Sequence, residues 1–221
     1  MSAPTELPGL ERLMEVCRRL QLRMRTAPPG HQLPRAGAPI EGLPFDPMLA
    51  AVYSRLGQGA FATDVAGIIL SRFDDEERKL ERDNQWWSQG YRKSLALPTF
   101  IFAGEPLMAY HYATVPSLAD DEGRQPVVWI DVYEEPYALP VASNVDRFFA
   151  TYAGYLEALM ALPKAREEGD TLLTFPWGVP ALMGGDTQLV ELLRSGSFSP
   201  IMKTTSTTPK WVSQVLSAAR S

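Results

Sequence analysis

The sequence predicts an α+β fold: a mainly antiparallel sheet of about four to six strands packed by helices. Three observations predict it. Between Leu97 and Ala142, β-rich runs follow one another with only short turns or one loop between them. Connections of that length join neighbouring antiparallel strands and leave no room for a crossover helix. Directly after the last run comes a strongly amphipathic helical segment, Val145 to Met160. Further segments with helical periodicity stand at both ends of the chain, outside the strand-rich centre.

The strands are read as follows. Leu97–Ala103 is a β-rich run, and Gly104-Glu105-Pro106 is a turn. From Leu107 to Val115 the side chains alternate. Met108, Tyr110, Tyr112 and Thr114 fall on one face, and Leu107, Ala109, His111, Ala113 and Val115 on the other. An acidic loop separates this run from Val127–Tyr133, and Tyr137–Ala142 is the fourth strand. Ser143 is placed to cap the closing helix, with Asp146 three residues on as a capping-box carboxylate. Val145, Phe148, Phe149, Tyr152, Leu156, Leu159 and Met160 form its buried stripe, and Pro163 stops it.

Ahead of this centre, Leu10, Leu13, Met14, Cys17, Leu20 and Met24 make one face of a helix over residues 9–25, with Arg12, Arg18, Arg19, Arg23 and Arg25 on the others. A basic amphipathic helix of this kind can bind a membrane surface. It more commonly packs on its own domain with its arginines in water. Thr26–Pro44 holds five prolines and three glycines and reads as an irregular wrap. Asp46 and Pro47 open a second helix, with Leu49, Val52, Tyr53 and Leu56 inside and Gly57 ending it. GQGAFATDVAGIILSRF then reads as a turn and an apolar strand centred on Ile68, Ile69 and Leu70. A charged segment follows, with helical turns from Asp74 to Arg82. Trp86 and Trp87 are adjacent, so one packs inside while the other is left to cover the surface. Beyond residue 163, TLLTFPW reads as a strand, Asp186–Ser195 as a capped helix, and Thr208-Pro209 opens a last helix carrying Trp211, Val212, Val215 and Leu216. The chain divides into residues 1–40 (helix and proline-rich wrap), 41–163 (the α+β domain) and 164–221 (an extension packing on it).

Composition narrows the function. No apolar run approaches the ~20 residues that span a bilayer. The first residues lack the basic start and apolar core of a secretory leader. The single cysteine, Cys17, cannot form an intrachain disulfide, which fits a reducing, cytoplasmic compartment. Two histidines and one cysteine cannot supply a closed Cys/His zinc site, and no glycine-rich phosphate loop or nucleophile elbow is present. No cofactor, metal or catalytic set is therefore expected. Net charge is −5, and residues 61–160 alone carry eight basic against sixteen acidic side chains, net −8. Such a field repels nucleic acid and attracts basic partners, and acidic loops of this kind are equally the ordinary solvated surface of a soluble protein. The candidate contact residues combine these acids with the paired tryptophans: Asp74, Asp75, Glu76, Glu77, Trp86, Trp87, Asp120, Asp121, Glu122, Glu134 and Glu135. Aromatic residues are favoured at interface hot spots.

The order of parts resembles the SUKH superfamily, the fold shared by a fungal cell-wall-assembly regulator family and many bacterial immunity proteins. The likeness rests on LPTFIFAG, LMAYHYATV and above all Pro126–Leu156, where PVVWID leads to a strand ending in ASN and then a helix with Phe148 and Phe149. It spans roughly residues 40–160. The chain departs from the family pattern at Gly57-Gln58-Gly59, where many members carry Asn-Gly-Gly. The resemblance implies a cytoplasmic bacterial immunity protein: a non-catalytic antitoxin that binds and occludes a cognate toxin, for instance a basic nuclease domain, with no membrane or nucleic acid contact of its own. A second reading is a regulatory or scaffold module that binds proteins through a sheet edge. A third is a hydrolase using His111 with Asp131 or Glu134, although the Ala and Leu neighbours of His111 on its face point to a structural histidine.

Overall fold

Alternation along Tyr110–Thr114 gives this strand two unlike faces, and the rest of the molecule is built on that difference. The computed structural model describes residues 5–30, 32–73, 79–91, 94–133, 135–203 and 207–219. Its centre is a seven-stranded, wholly antiparallel sheet of β1 (Arg25–Ala27), β4 (Gln58–Phe61), β5 (Ile68–Leu70), β6 (Phe100–Gly104), β7 (Tyr110–Thr114), β8 (Val127–Asp131) and β9 (Tyr137–Ala142), in that spatial order. The α+β class is as expected, and the strand count is slightly higher. The surplus comes from β1 and β4, short strands inside segments whose prolines and glycines read as wrap and turn. A separate two-stranded ladder, β2 (Pro39–Ile40) with β3 (Leu43–Pro44), lies in the same proline-rich stretch.

Register fixes the faces. Tyr110 pairs with Asp131, Tyr112 with Trp129 and His111 with Ile130, and residues directly opposite one another share a face. On the first face, α4 (Val145–Met160) lays Phe148 and Tyr152 against Tyr112, with ring centroids 4.8 and 6.2 Å away. A register shift in β6 leaves Phe102 unpaired in the ladder, and its ring also meets Phe148 at 5.8 Å. The second face receives α3 (Lys79–Gln89). There Trp87 is fully buried 5.7 Å from the His111 ring, and Asn84 exchanges two hydrogen bonds with the Ile101 backbone.

The closing helix is buried on more sides than its apolar stripe requires, because α1 (Pro8–Arg19) covers its back. Here the expected cap is corrected. Asn144, not Ser143, is the N-cap, its Oδ1 accepting from the Arg147 amide at 2.9 Å. Asp146 serves a different element: its carboxylate accepts from the amides of Gly9 and Leu10 at 2.9–3.1 Å, binding the start of α1 to the start of α4. The approach is so close that a Cβ on Gly9 would stand 2.0 Å from the Asp146 carbonyl oxygen. A similar arrangement recurs twice. Asp46 caps α2 (Pro47–Tyr53) and also accepts from the Gln125 amide; Asp186 caps α7 (Thr187–Arg194) and also accepts from the Ser143 amide.

Other boundaries shift for local reasons. The first helix ends at Arg19, not near residue 25, because Gln21 turns left-handed (φ 53°) and frees Arg25–Ala27 to pair with β4. The second helix ends at Tyr53, capped by Ser54, before Gly57 is reached. TLLTFPW is not a strand: a 3-10 turn covers Gly169–Thr171, and Phe175 fills a site between Tyr112, Tyr152 and Tyr155. The remaining helices α5 (Ala165–Glu168), α6 (Pro180–Gly184) and α8 (Thr207–Ala218) belong to the same hydrophobic core, which runs without a break from Leu7 to Val215. Among the described residues no helix is long and apolar enough to cross a membrane.

Candidate protein-binding surface

The β6–β7 connection, Glu105 to Ala109, is a tight turn closed by hydrogen bonds from the Glu105 amide to the Tyr110 carbonyl and from the Met108 amide to the Glu105 carbonyl. Pro106 has a fixed φ suited to the second turn position. It packs against Gly67, where a Cβ would come within 2.9 Å of the proline ring. The turn therefore rests on a firm base. Leu107 follows with φ 63° and is fully exposed. Met108 beside it is 42% exposed and receives the Tyr133 hydroxyl at its sulfur; Tyr133 is 56% exposed.

A cleft opens on each face of the sheet next to this turn. On the α3 face, a cleft of about 250 Å³ is lined by Pro106, Glu105, His111, Asp83, Lys79 and the half-exposed Trp86. Burial depresses the His111 imidazole pKa, and the charge of Asp83 works in the opposite direction. On the α4 face, a groove of about 440 Å³ is lined by Tyr110, Asp131, Tyr133, Glu135, Tyr137, Trp177 and Lys203. Asp131 orders this groove by accepting from the Tyr133 amide at 2.8 Å and the Tyr137 hydroxyl at 3.3 Å. The Lys203 ammonium sits 5.4 Å from the centre of the Tyr137 ring. Under the turn, Glu105 accepts from the Tyr112 hydroxyl at 2.8 Å and from the Trp129 indole at 3.3 Å. Burial pushes its carboxyl pKa up to about 7 in spite of these bonds, and the charge of Asp170 adds to the rise.

The proposed contact residues do not form one site. Trp86 and Glu135 stand at the turn end of the sheet, on opposite faces. Trp87 is core, its indole donating to Thr99 Oγ1. Asp120, Asp121 and Glu122 lie in the β7–β8 connection, at the far end of those strands. Asp120 and Glu122 are engaged by Arg124, and Asp120 also accepts from two backbone amides of its own loop. Burial opposes ionisation of Asp120, but the Arg124 bonds outweigh it and hold the carboxyl below its ordinary value. The loop is thus closed mainly on itself, with Gln188 of the Thr187–Arg194 helix also bonded to Asp120. Asp74, Asp75, Glu76, Glu77 and Glu134 lie outside the described residues. His111 and Asp131 are on opposite faces, so they form no acid–base pair. Among the described residues no group of three or more His, Cys, Asp or Glu is placed to hold a metal ion.

Sequence reasoning missed Leu107, Met108, Tyr133, Tyr137, Trp177 and Lys203 as surface features. The first two had a signal: in Glu-Pro-Leu-Met, a leucine occupies the turn position where glycine is favoured. The groove had none, because Trp177 and Lys203 reach Tyr137 from segments forty and more residues away. No family model, curated protein or solved structure matches the chain.

Proposed function

We propose that this protein is a non-catalytic immunity protein that neutralises a cognate bacterial toxin by binding it directly, using the turn end of the sheet. The observation that carries the reading is the concentration of exposed large apolar side chains around one turn. Of the six such residues described, Leu107, Met108, Tyr133 and Trp86 all flank the β6–β7 connection. Isolated apolar residues on a surface are ordinary; a cluster rimmed by polar groups marks an interaction site. Asp83, Asp131 and Glu135 outnumber Lys79 and Lys203 around it, which gives the rim the sign that suits a basic toxin domain such as a nuclease. The SUKH-like order of parts supports the same reading.

The test is genetic and biochemical. The C-terminal domain of a large protein encoded next to this chain is produced alone and together with it. Rescue of growth by co-expression, with a purified one-to-one complex, is the expected result. A toxin domain that remains lethal and does not bind would refute the reading. A regulatory scaffold is the competing reading. It is favoured by β1, an exposed three-residue strand that begins the sheet with no further strand beside it among the described residues. That reading predicts capture of several housekeeping proteins in place of one toxin.

A further inference from the structure

We infer that Leu107 is the anchor of a protein interface, held in a strained backbone conformation in the free protein so that its side chain enters an apolar recess rimmed by lysine or arginine on the partner. The inference rests on the protein-binding part of the proposed function and not on the partner being a toxin.

Three observations converge on this residue. The first is conformational. A positive φ at the third position of a Pro-containing turn is a glycine position, and a bulky residue there is a true outlier. Gln21, Glu41, Ala62 and Lys164 also have positive φ, but none of these places a large apolar side chain in water. An outlier of this kind persists only where the surrounding structure holds it, and such outliers cluster at functional sites. The second is position. The side chain is fully exposed at the crest, while Pro106 beneath it is wedged on Gly67, so the crest is presented on a rigid mount. A preorganised apolar anchor loses little freedom on docking. The third is the surround. Met108 and Tyr133 on one side and Trp86 on the other extend the apolar contact, and Asp83, Asp131 and Glu135 stand behind them.

The same surround selects the occupant. The acidic side chains lining the two clefts, Asp83, Glu105, Asp131 and Glu135, outnumber the lysines there, Lys79 and Lys203, so the surface repels an anionic bilayer and complements a basic partner better than a second copy of itself. A protein carrying basic side chains around an apolar recess meets both the crest and its rim.

The experiment uses the full chain in its native host. The photocrosslinker p-benzoylphenylalanine replaces Tyr133, and in a control strain Glu122, at the far end of the sheet. Each is examined with Leu107 intact and with Leu107→Gly. The expected result is one protein crosslinked from position 133 and not from 122, with the crosslink lost in Leu107→Gly. That protein is then purified. It should bind the unmodified chain directly, at least tenfold more weakly to Leu107→Gly and to Leu107→Asp. The thermal midpoint of Leu107→Gly should stay level or rise, because glycine relieves the turn, so loss of binding is not loss of fold. Crosslinks only to lipid, only to this chain or to nothing overturn the inference, as does a partner whose affinity ignores Leu107→Gly. A captured partner without toxic activity refutes the toxin reading while leaving the anchor intact. A toxin that binds but is never crosslinked from position 133 does the reverse.

Discussion

Gly9 and Glu105 show how much a single position decides here. At Gly9 the start of α1 lies directly on the Asp146 backbone, with both carboxylate oxygens of Asp146 receiving its amide. A methyl group cannot enter a 2.0 Å gap against a backbone oxygen, so Gly9→Ala must push α1 off α4. Overpacking of this kind costs roughly 1–3 kcal/mol, and urea denaturation should show a midpoint lowered accordingly. Unchanged stability would mean that the two helix starts are not in contact. Glu105 makes a pH-dependent prediction. Burial raises its folded pKa from an ordinary 4.5 to about 7. Between those values the native state holds a proton that the unfolded chain releases. The stability from the protonated form is thus complete below about pH 4.5 and is lost as pH rises through 7, by on the order of 1–3 kcal/mol. Gln in its place keeps the carbonyl oxygen that accepts from Tyr112 and cannot ionise. The stability of Glu105→Gln minus that of the wild type should therefore grow between pH 5 and pH 7.5, as read from denaturation midpoints. A difference that stays flat with pH would show that Glu105 does not titrate in this window.

At the scale of elements, most of the fold was written in short-range patterns. The four strands β6 to β9 follow from alternation and turn residues, and Asp46 and Asp186 were readable as caps because aspartate followed by a helical stripe has one local meaning. Asp146 was misread because the same local pattern, a carboxylate three residues after serine, also describes a capping box. What decides the matter is α1, 137 residues earlier, whose free amides take the carboxylate first. β1 and β4 are not legible because RTA and QGAF, unlike the equally short IIL of β5, carry no apolar β-branched run, and only their pairing makes them strands. The corrected cap yields a prediction. Asn144→Ala removes the side chain that accepts from the Arg147 amide, which should cost about 1 kcal/mol. Ser143→Ala should cost less, since the Ser143 hydroxyl reaches only the Asn144 amide group, at 3.5 Å. Thermal unfolding of the two variants decides it, and equal losses would restore Ser143 as a cap. The candidate surface was half readable for a related reason. Turn chemistry announces Leu107 in the sequence, while the groove beside it depends on Trp177 and Lys203 arriving from elsewhere.

Across the whole molecule, the acidic charge is split between two ends of the sheet, and this separates charges that steer a partner from charges that do not. Glu135 lines the groove beside the exposed turn, whereas Asp121 lies in the connection at the other end of β8. Five residues of strand at ~3.4 Å each put roughly 17 Å between those ends. The screening length is about 8 Å at 0.15 M salt and about 30 Å at 0.01 M. A basic partner docking at the turn should therefore sense Glu135 at both salt concentrations and Asp121 only at the lower one. Stopped-flow association with the purified partner should show Glu135→Lys slowing binding several-fold at 0.15 M while Asp121→Lys leaves the rate close to that of the wild type. At 0.01 M both should slow it, and dissociation rates should change little, because rim charges act mainly on encounter. If Asp121→Lys slows association at 0.15 M as much as Glu135→Lys does, the partner docks over the β7–β8 connection, and the exposed turn is not the binding end.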